Sequence, residues 1–161
     1  MEDDIMRIRL GIDFRGGCCV GALMMALVPR LACAALGEPE SSVAGDVQQL
    51  KGSIKSTVRS NYRVHAIQLP SGTVLREFAA VDGNVFAVAW SGPAIPNLRQ
   101  ALGRYFDVYV KAAHEKQGGH RHLRIEQSGF VMQSSGHMRA FSGRAYLPQA
   151  LPPGTSAGEI R

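Results

Sequence analysis

From Ser41 onward the hydrophobic positions recur with two periods, one helical and one of extended chain. Ser41 and Ser42 precede Val43, Val47 and Leu50, spaced i, i+4, i+7, and Gly52 follows. That spacing predicts a short amphipathic helix with a serine cap at its start and a glycine past its end. Three strand-like runs come next, Tyr62–Leu69, Thr73–Ala80 and Asn84–Trp90. Pro70-Ser71-Gly72 separates the first two, and Asp82-Gly83 marks a tight hairpin between the second and third. With Asp82 and Gly83 as a two-residue loop, opposed positions sum to 165. One face then carries Leu75, Glu77, Ala79, Phe86, Val88 and Trp90, and the other Val74, Arg76, Phe78, Ala80, Val85, Ala87 and Ala89. A half-solvated hairpin has one polar face. Here both faces are apolar with a single charge each, which predicts a sheet covered on both sides. Arg76 and Glu77 then need partners, because an unpaired buried charge is costly.

The run Ser91–Pro96 ends the strand pattern, and Asn97 opens a long helix, with Gln100 placed to complete a capping box. Leu98, Ala101, Leu102, Tyr105, Phe106, Tyr109 and Ala112 form its apolar stripe, with Gly103 in its interior at a cost of about 1 kcal/mol relative to alanine. Leu123 and Ile125 alternate with Arg124 and Glu126 as a half-exposed strand. Phe130–Gln133 and His137–Leu147 predict a hairpin turning at Ser134-Ser135-Gly136. Together these elements predict an α+β fold. It has an antiparallel sheet of about five strands, a long amphipathic helix and a short N-terminal one, in the order α-β-β-β-α-β-β. The single domain would span 35–147, with an extended Pro/Gly-containing tail at 148–161.

The first 34 positions have a different character. Arg7, Arg9 and Arg15 precede the apolar run Cys18–Val28, followed by Pro29, Arg30 and the small residues Ala32-Cys33-Ala34-Ala35. A basic stretch, an apolar stretch of about 7–15 residues and a small-residue cleavage site is the pattern of a secretory signal. Glu2, Asp3 and Asp4 fit it poorly, which points to Met6 as the true start. Cleavage after Ala34 or Ala35 would remove all three cysteines of the 161-residue chain. The mature domain would then have neither disulfide nor thiol nucleophile. Four basic and four acidic residues lie in positions 1–34, so the remainder keeps the net charge of +5. The expected location is the periplasm of a Gram-negative bacterium, with membrane contact only through the signal before cleavage and no nucleic-acid partner.

Three strings make the chain familiar: V-L-R-E-F at Val74–Phe78, D-G-N-V-F-A-V-A-W-S-G-P at Asp82–Pro93, and P-N-L-R-Q-A-L-G-R-Y-F at Pro96–Phe106. With G-H-M-R-A-F-S-G-R-A-Y-L-P at Gly136–Pro148, they resemble a proteobacterial family of small exported proteins catalogued as a domain of unknown function. Asn97 stands where that pattern has an aspartate, and both residues cap helices well. The resemblance implies export and a compact domain, and it brings no catalytic residue.

The chemistry-bearing residues form three candidate groups. His120 and His122, with His137, could chelate zinc or copper, although no carboxylate stands at a recognised spacing and a polar surface loop is the plainer reading. No other cofactor is implied. Lys111, Lys116, Arg121, Arg124, Arg139 and Arg144 could make an anion-facing surface, against the alternative of a solvated charged face. Trp90, Glu77 and Tyr105 could line a pocket at the strand-to-helix crossing, though aromatic stripes are more often core. No nucleophile elbow, Walker loop or dinucleotide-binding glycine motif is present. The residues therefore favour a non-catalytic binding or structural module of the cell envelope with an anionic partner. The alternatives are a small enzyme with an unrecognised carboxylate/histidine site around Glu77, His65 and the His120/His122 loop, and a histidine-loop metal binder.

Overall fold

The computed structural model describes residues 36–115, 122–127 and 129–161. The leader reading, with its cysteines and cleavage site, falls outside the described residues. Among them the architecture is one seven-stranded antiparallel sheet with helices on one face. The strands are β1 (Ser53–Val58), β2 (Tyr62–Gln68), β3 (Val74–Ala80), β4 (Val85–Gly92), β5 (His122–Gln127), β6 (Phe130–His137) and β7 (Ala140–Tyr146). Their order across the sheet is β1-β2-β3-β4-β7-β6-β5. Helix α1 (Val43–Gln49) precedes the sheet, and α2 (Leu98–Leu102) and α3 (Phe106–Glu115) link β4 to β5.

The α+β class and the antiparallel sheet stand, but the strand count and order are corrected. The unforeseen strand is β1, whose residues Ser-Ile-Lys-Ser-Thr-Val are all exposed. An edge strand with so little apolar content leaves no burial signature in the sequence. The last hairpin also turns later than its Ser134-Ser135-Gly136 sequence suggests. Pairing continues through Ser135↔Ser142 and Gly136↔Phe141 to His137↔Ala140, leaving Met138-Arg139 as a two-residue loop with Arg139 at φ 63.

The Asp82-Gly83 hairpin keeps its predicted register over most of its length, from Val74↔Ser91 to Phe78↔Ala87. Nearer the turn the loop is longer than two residues. Gly83 N–H donates to Ala80 and Ala80 N–H donates to Asn84, with Gly83 at φ 84. A bulge between Phe78 and Ala79 absorbs the difference, so that Ala79 opposes Val85. The bulge exchanges two side chains between the faces. Val85 joins the helix-side core, and Phe86 packs on the far side against Phe78 and Tyr62.

Both faces are covered, by different means. The helix side gathers Leu36, Ile67, Leu75, Val88, Trp90, Leu102, Ile125, Phe130 and Met132. The single long helix expected after Asn97 is broken. Gly103, at φ 50 and ψ −123, turns the chain through a short 3-10 segment into α3, and few residues but glycine accept that conformation. The far side is partly roofed by the segment 148–161. It is not extended throughout: it forms 3-10 turns at Pro148–Ala150 and Ala157–Glu159. Ile160 is buried against Phe78, Phe86, Ala87 and Ala89, and Leu151 packs nearby. Arg144 holds this segment by donating to the carbonyls of Ala157 (2.6 Å) and Ile160 (3.4 Å).

Within the helix-side core lie two acids. Asp46 and Glu77 are both fully buried. Gln100 Nε2 donates to Asp46 Oδ1 at 2.8 Å, so this side chain serves α1 and does not close a capping box. Asn97 nonetheless caps α2, accepting from Gln100 N–H. Ser42 makes no cap of α1; its hydroxyl donates to the Pro39 carbonyl instead. Burial and the adjacent Asp46, through its charge and a hydrogen bond, push the Glu77 carboxyl up to about 9. Glu77 is therefore a neutral acid at neutral pH, and Asp46 its charged partner.

The folded state holds a proton on Glu77 that the unfolded chain loses near pH 4.5. This contribution to stability is complete below that value and declines as pH rises to about 9. The slope is about 1 kcal/mol per pH unit in between. Urea unfolding at pH 5.5 and 8 should show this loss in the natural chain. Glu77→Gln, which keeps a neutral donor, should flatten it. Parallel slopes for the two proteins would refute the shared proton.

Candidate functional site

The side of the sheet where β4 and β6 end and β5 and β7 begin, called the distal end below, carries three cavities. A cavity of about 730 Å³ is lined by Ser91, Gly92, Pro93, His122, Ser135, His137 and Arg139 among others. A second, of about 310 Å³, is walled by Trp90, Ile95, Leu98, Tyr109, Ala113, Leu123 and Phe141. The two share Ser135, Gly136, Phe141 and Ser142. A third, of about 600 Å³, adds Arg124, Gln133, Arg144 and Arg161 and again includes Ser135 and Ser142. The hydroxyls of Ser135 and Ser142 lie 3.2 Å apart across the β6–β7 ladder.

Strand register explains the chemistry of this surface. On the face away from the helices, one cross-strand row reads Ser91, Ser142, Ser135, His122. The row beside it reads Arg76, Ala89, Arg144, Gln133, Arg124. On the helix side, Trp90 opposes Gly143. A Cβ on Gly143 would stand 2.2 Å from the indole ring, so the absent side chain is what lets Trp90 lie flat along β7.

The predicted site residues are distributed unevenly. Trp90 borders the aromatic cavity, and Tyr109 joins it from α3. Glu77 and Tyr105 are not among its walls; Glu77 faces Asp46, and Tyr105 stacks on Phe130 with centroids 5.0 Å apart. His122 and His137 share the 730 Å³ cavity with Arg139, while His120 lies outside the described residues. No group of three or more potential metal ligands occurs among the described residues.

Four of the six predicted cations lie among the described residues, and these four do not form one patch. Lys111 sits on α3 with Glu115 at 4.0 Å, Arg124 pairs with Glu126, and Arg144 binds Gln133 and the roof segment. Arg139 stands at the hairpin tip, and Lys116 and Arg121 fall outside the described residues. Ile95, Ser135, Phe141 and Ser142 also line these cavities without having been expected to; the late hairpin turn brings the last three to the distal end. The polar run Ser134-Ser135-Gly136-His137 carried the available signal, hidden by placing the turn within it.

A family model described as "Protein of unknown function (DUF2844)" matches residues 32–160. The chain belongs to that family. The match spans every element described above and bears out, from the four sequence strings, the resemblance to a domain of unknown function. Comparison with curated proteins and with solved structures returns no match. Membership in this family carries a shared domain and no assigned chemistry, so the distal end must be read from its own residues.

The Trp90–Gly143 contact gives a direct test of the aromatic wall. Gly143→Ala should displace the ring at a cost of about 1–3 kcal/mol, the usual range for overpacking. As Trp90 is the only tryptophan, its emission maximum should shift in the folded variant. An unchanged spectrum and unchanged stability would show that the indole lies elsewhere.

Proposed function

We propose that this chain is an exported binding module of the bacterial envelope whose distal end takes a small ligand with an apolar ring or chain and an anionic group. The observation that supports this reading is that the two cavities, one on each face of the sheet, share its β6–β7 rim at Ser135, Gly136, Phe141 and Ser142, over which one ligand could lie. One side offers Trp90, Ile95, Leu98, Tyr109 and Phe141; the other offers His122, His137, Arg139 and the serine hydroxyls. Concave, mainly apolar pockets with a few convergent polar groups are the usual form of a small-molecule site. Arginine and imidazole supply donors suited to a carboxylate, sulfonate or phosphate. Export is supported by the basic and apolar segments before Ala35. The basic excess that remains suits an anionic partner.

The probe for this reading is 8-anilinonaphthalene-1-sulfonate, an aromatic ring bearing one anionic group. The folded protein should bind it saturably at one site, with a change in Trp90 emission. Arg139→Asn retains a residue tolerant of positive φ and should weaken binding by about three- to tenfold, with most of the loss vanishing at high salt. Ile95 is 53% exposed, so Ile95→Lys should leave the fold intact and weaken binding at any salt. Binding that ignores both substitutions would sink the distal-end assignment.

A further inference from the structure

At the opposite edge of the sheet, Ser56, His65 and Glu40 form a hydrogen-bonded chain that plays no part in the distal end. Ser56 on β1 and His65 on β2 are direct cross-strand partners. Ser56 Oγ lies 2.8 Å from His65 Nδ1, and His65 Nε2 lies 2.8 Å from Glu40 Oε1. Glu40 is delivered by the segment that runs beside the start of β4, where Gly37 N–H donates to Val85 and Glu40 N–H donates to Gly83. Arg63 donates to both Glu40 oxygens, at 2.9 and 2.8 Å.

These contacts dictate the imidazole tautomer. Burial opposes the charge on Glu40, but hydrogen bonds from Arg63 and His65 outweigh it and hold the carboxyl below its ordinary range. An ionised carboxylate only accepts, so the ring proton sits on Nε2 and Nδ1 offers its lone pair to the serine hydroxyl. His65 is buried, whereas Ser56 is exposed. Both border an open groove of about 590 Å³ whose apolar side is Val43, Ala44, Val47 and Ile54.

We propose that Ser56 is an acyl-accepting nucleophile, with His65 as its general base and Glu40 as the residue that positions the ring. The substrate class is a small ester whose acyl chain lies against Val43, Val47 and Ile54. Ser56 Oγ bonds to the carbonyl carbon while its proton passes to His65 Nδ1. The bond from that carbon to the alkoxy oxygen then breaks, and the proton goes from His65 to the departing alcohol. Water attacks the acyl carbon and gives a proton to His65, the Oγ–carbon bond breaks, and the proton returns to Ser56 as the acid leaves. The ring is used in the reverse sense to the serine–histidine–aspartate triad, but with the same donor and acceptor logic. Among the described residues β1 is an edge strand, so alternate N–H groups along its outer side lie outside the ladder and would receive the carbonyl oxygen as charge develops there.

The test uses the full chain and an alkyl fluorophosphonate, which phosphonylates an activated serine with loss of fluoride. Peptide mapping should find the adduct on Ser56 and none in Ser56→Ala. General-base assistance is typically worth about 10²–10⁴ in rate, so His65→Gln should slow labelling about 100-fold. Glu40→Gln, at a partly exposed side chain, keeps the test valid if the histidine variant does not fold; it should slow labelling about tenfold. Glu40→Leu, which leaves no acceptor, should shift His65 from the Nε2–H to the Nδ1–H tautomer in nitrogen NMR. Absence of an adduct on Ser56 in the folded protein, comparable labelling of other serines, or a Ser56 rate unchanged by Glu40→Gln would each overturn the proposal.

Discussion

The contact on which the fold turns is the meeting of Asp46 and Glu77 beneath α1. Each carboxyl comes from a different element, and Gln100 of α2 supplies the third contact. Two buried carboxylates cannot both be ionised at close range without a large penalty, so one proton must be held between them. That proton makes α1, β3 and α2 mutually dependent. Hydrophobic packing alone would let α1 slide along the sheet, since Val43, Val47 and Leu50 meet an apolar surface with little direction in it. A charge with one permitted neighbour fixes its position.

Once α1 is placed, much else is constrained. The chain before it is led along the start of β4, which carries Glu40 to His65 and Arg63. After β4, the break at Gly103 folds the second helical run back over β5 and β6, with Tyr105 stacked on Phe130. The far face is closed by a different device, the Arg144 guanidinium gripping the carbonyls of Ala157 and Ile160. The roof does not extend over the β6–β7 tip, where Met138 is 90% exposed. The helix layer meets the distal end through Leu98, Tyr109 and Ala113, which wall the aromatic cavity there.

Much of this was legible in the sequence, and the failures have physical causes. The Val74–Phe78 register followed from Asp82-Gly83, yet the side on which Phe86 lies depended on a bulge that no residue pattern announces. Strand β1 was invisible because an exposed edge strand buries nothing. The buried acids did leave a trace: Asp46 occupies the i+3 place in the stripe Val43, Val47, Leu50, and Glu77 stands on an apolar strand face. Two carboxyls at apolar positions are more economically explained by each other than by separate partners. Trp90 was legible as part of a pocket, but its companions were set by where the β6–β7 hairpin turns. Of the chain Ser56, His65 and Glu40, the sequence pointed only to His65, and with Glu77 as its acid. The chain exists only through the register of an unrecognised strand and the path of a segment without regular structure.

The central claim is that Glu77 is a neutral acid sharing its proton with Asp46 inside the core. The most direct measurement is the pH titration of the Glu77 side-chain carboxyl carbon by NMR in the folded protein. A protonated resonance at pH 7 that titrates near pH 9 is expected. A Glu77 resonance already ionised at pH 7, with its transition in the ordinary carboxylate range, would contradict it.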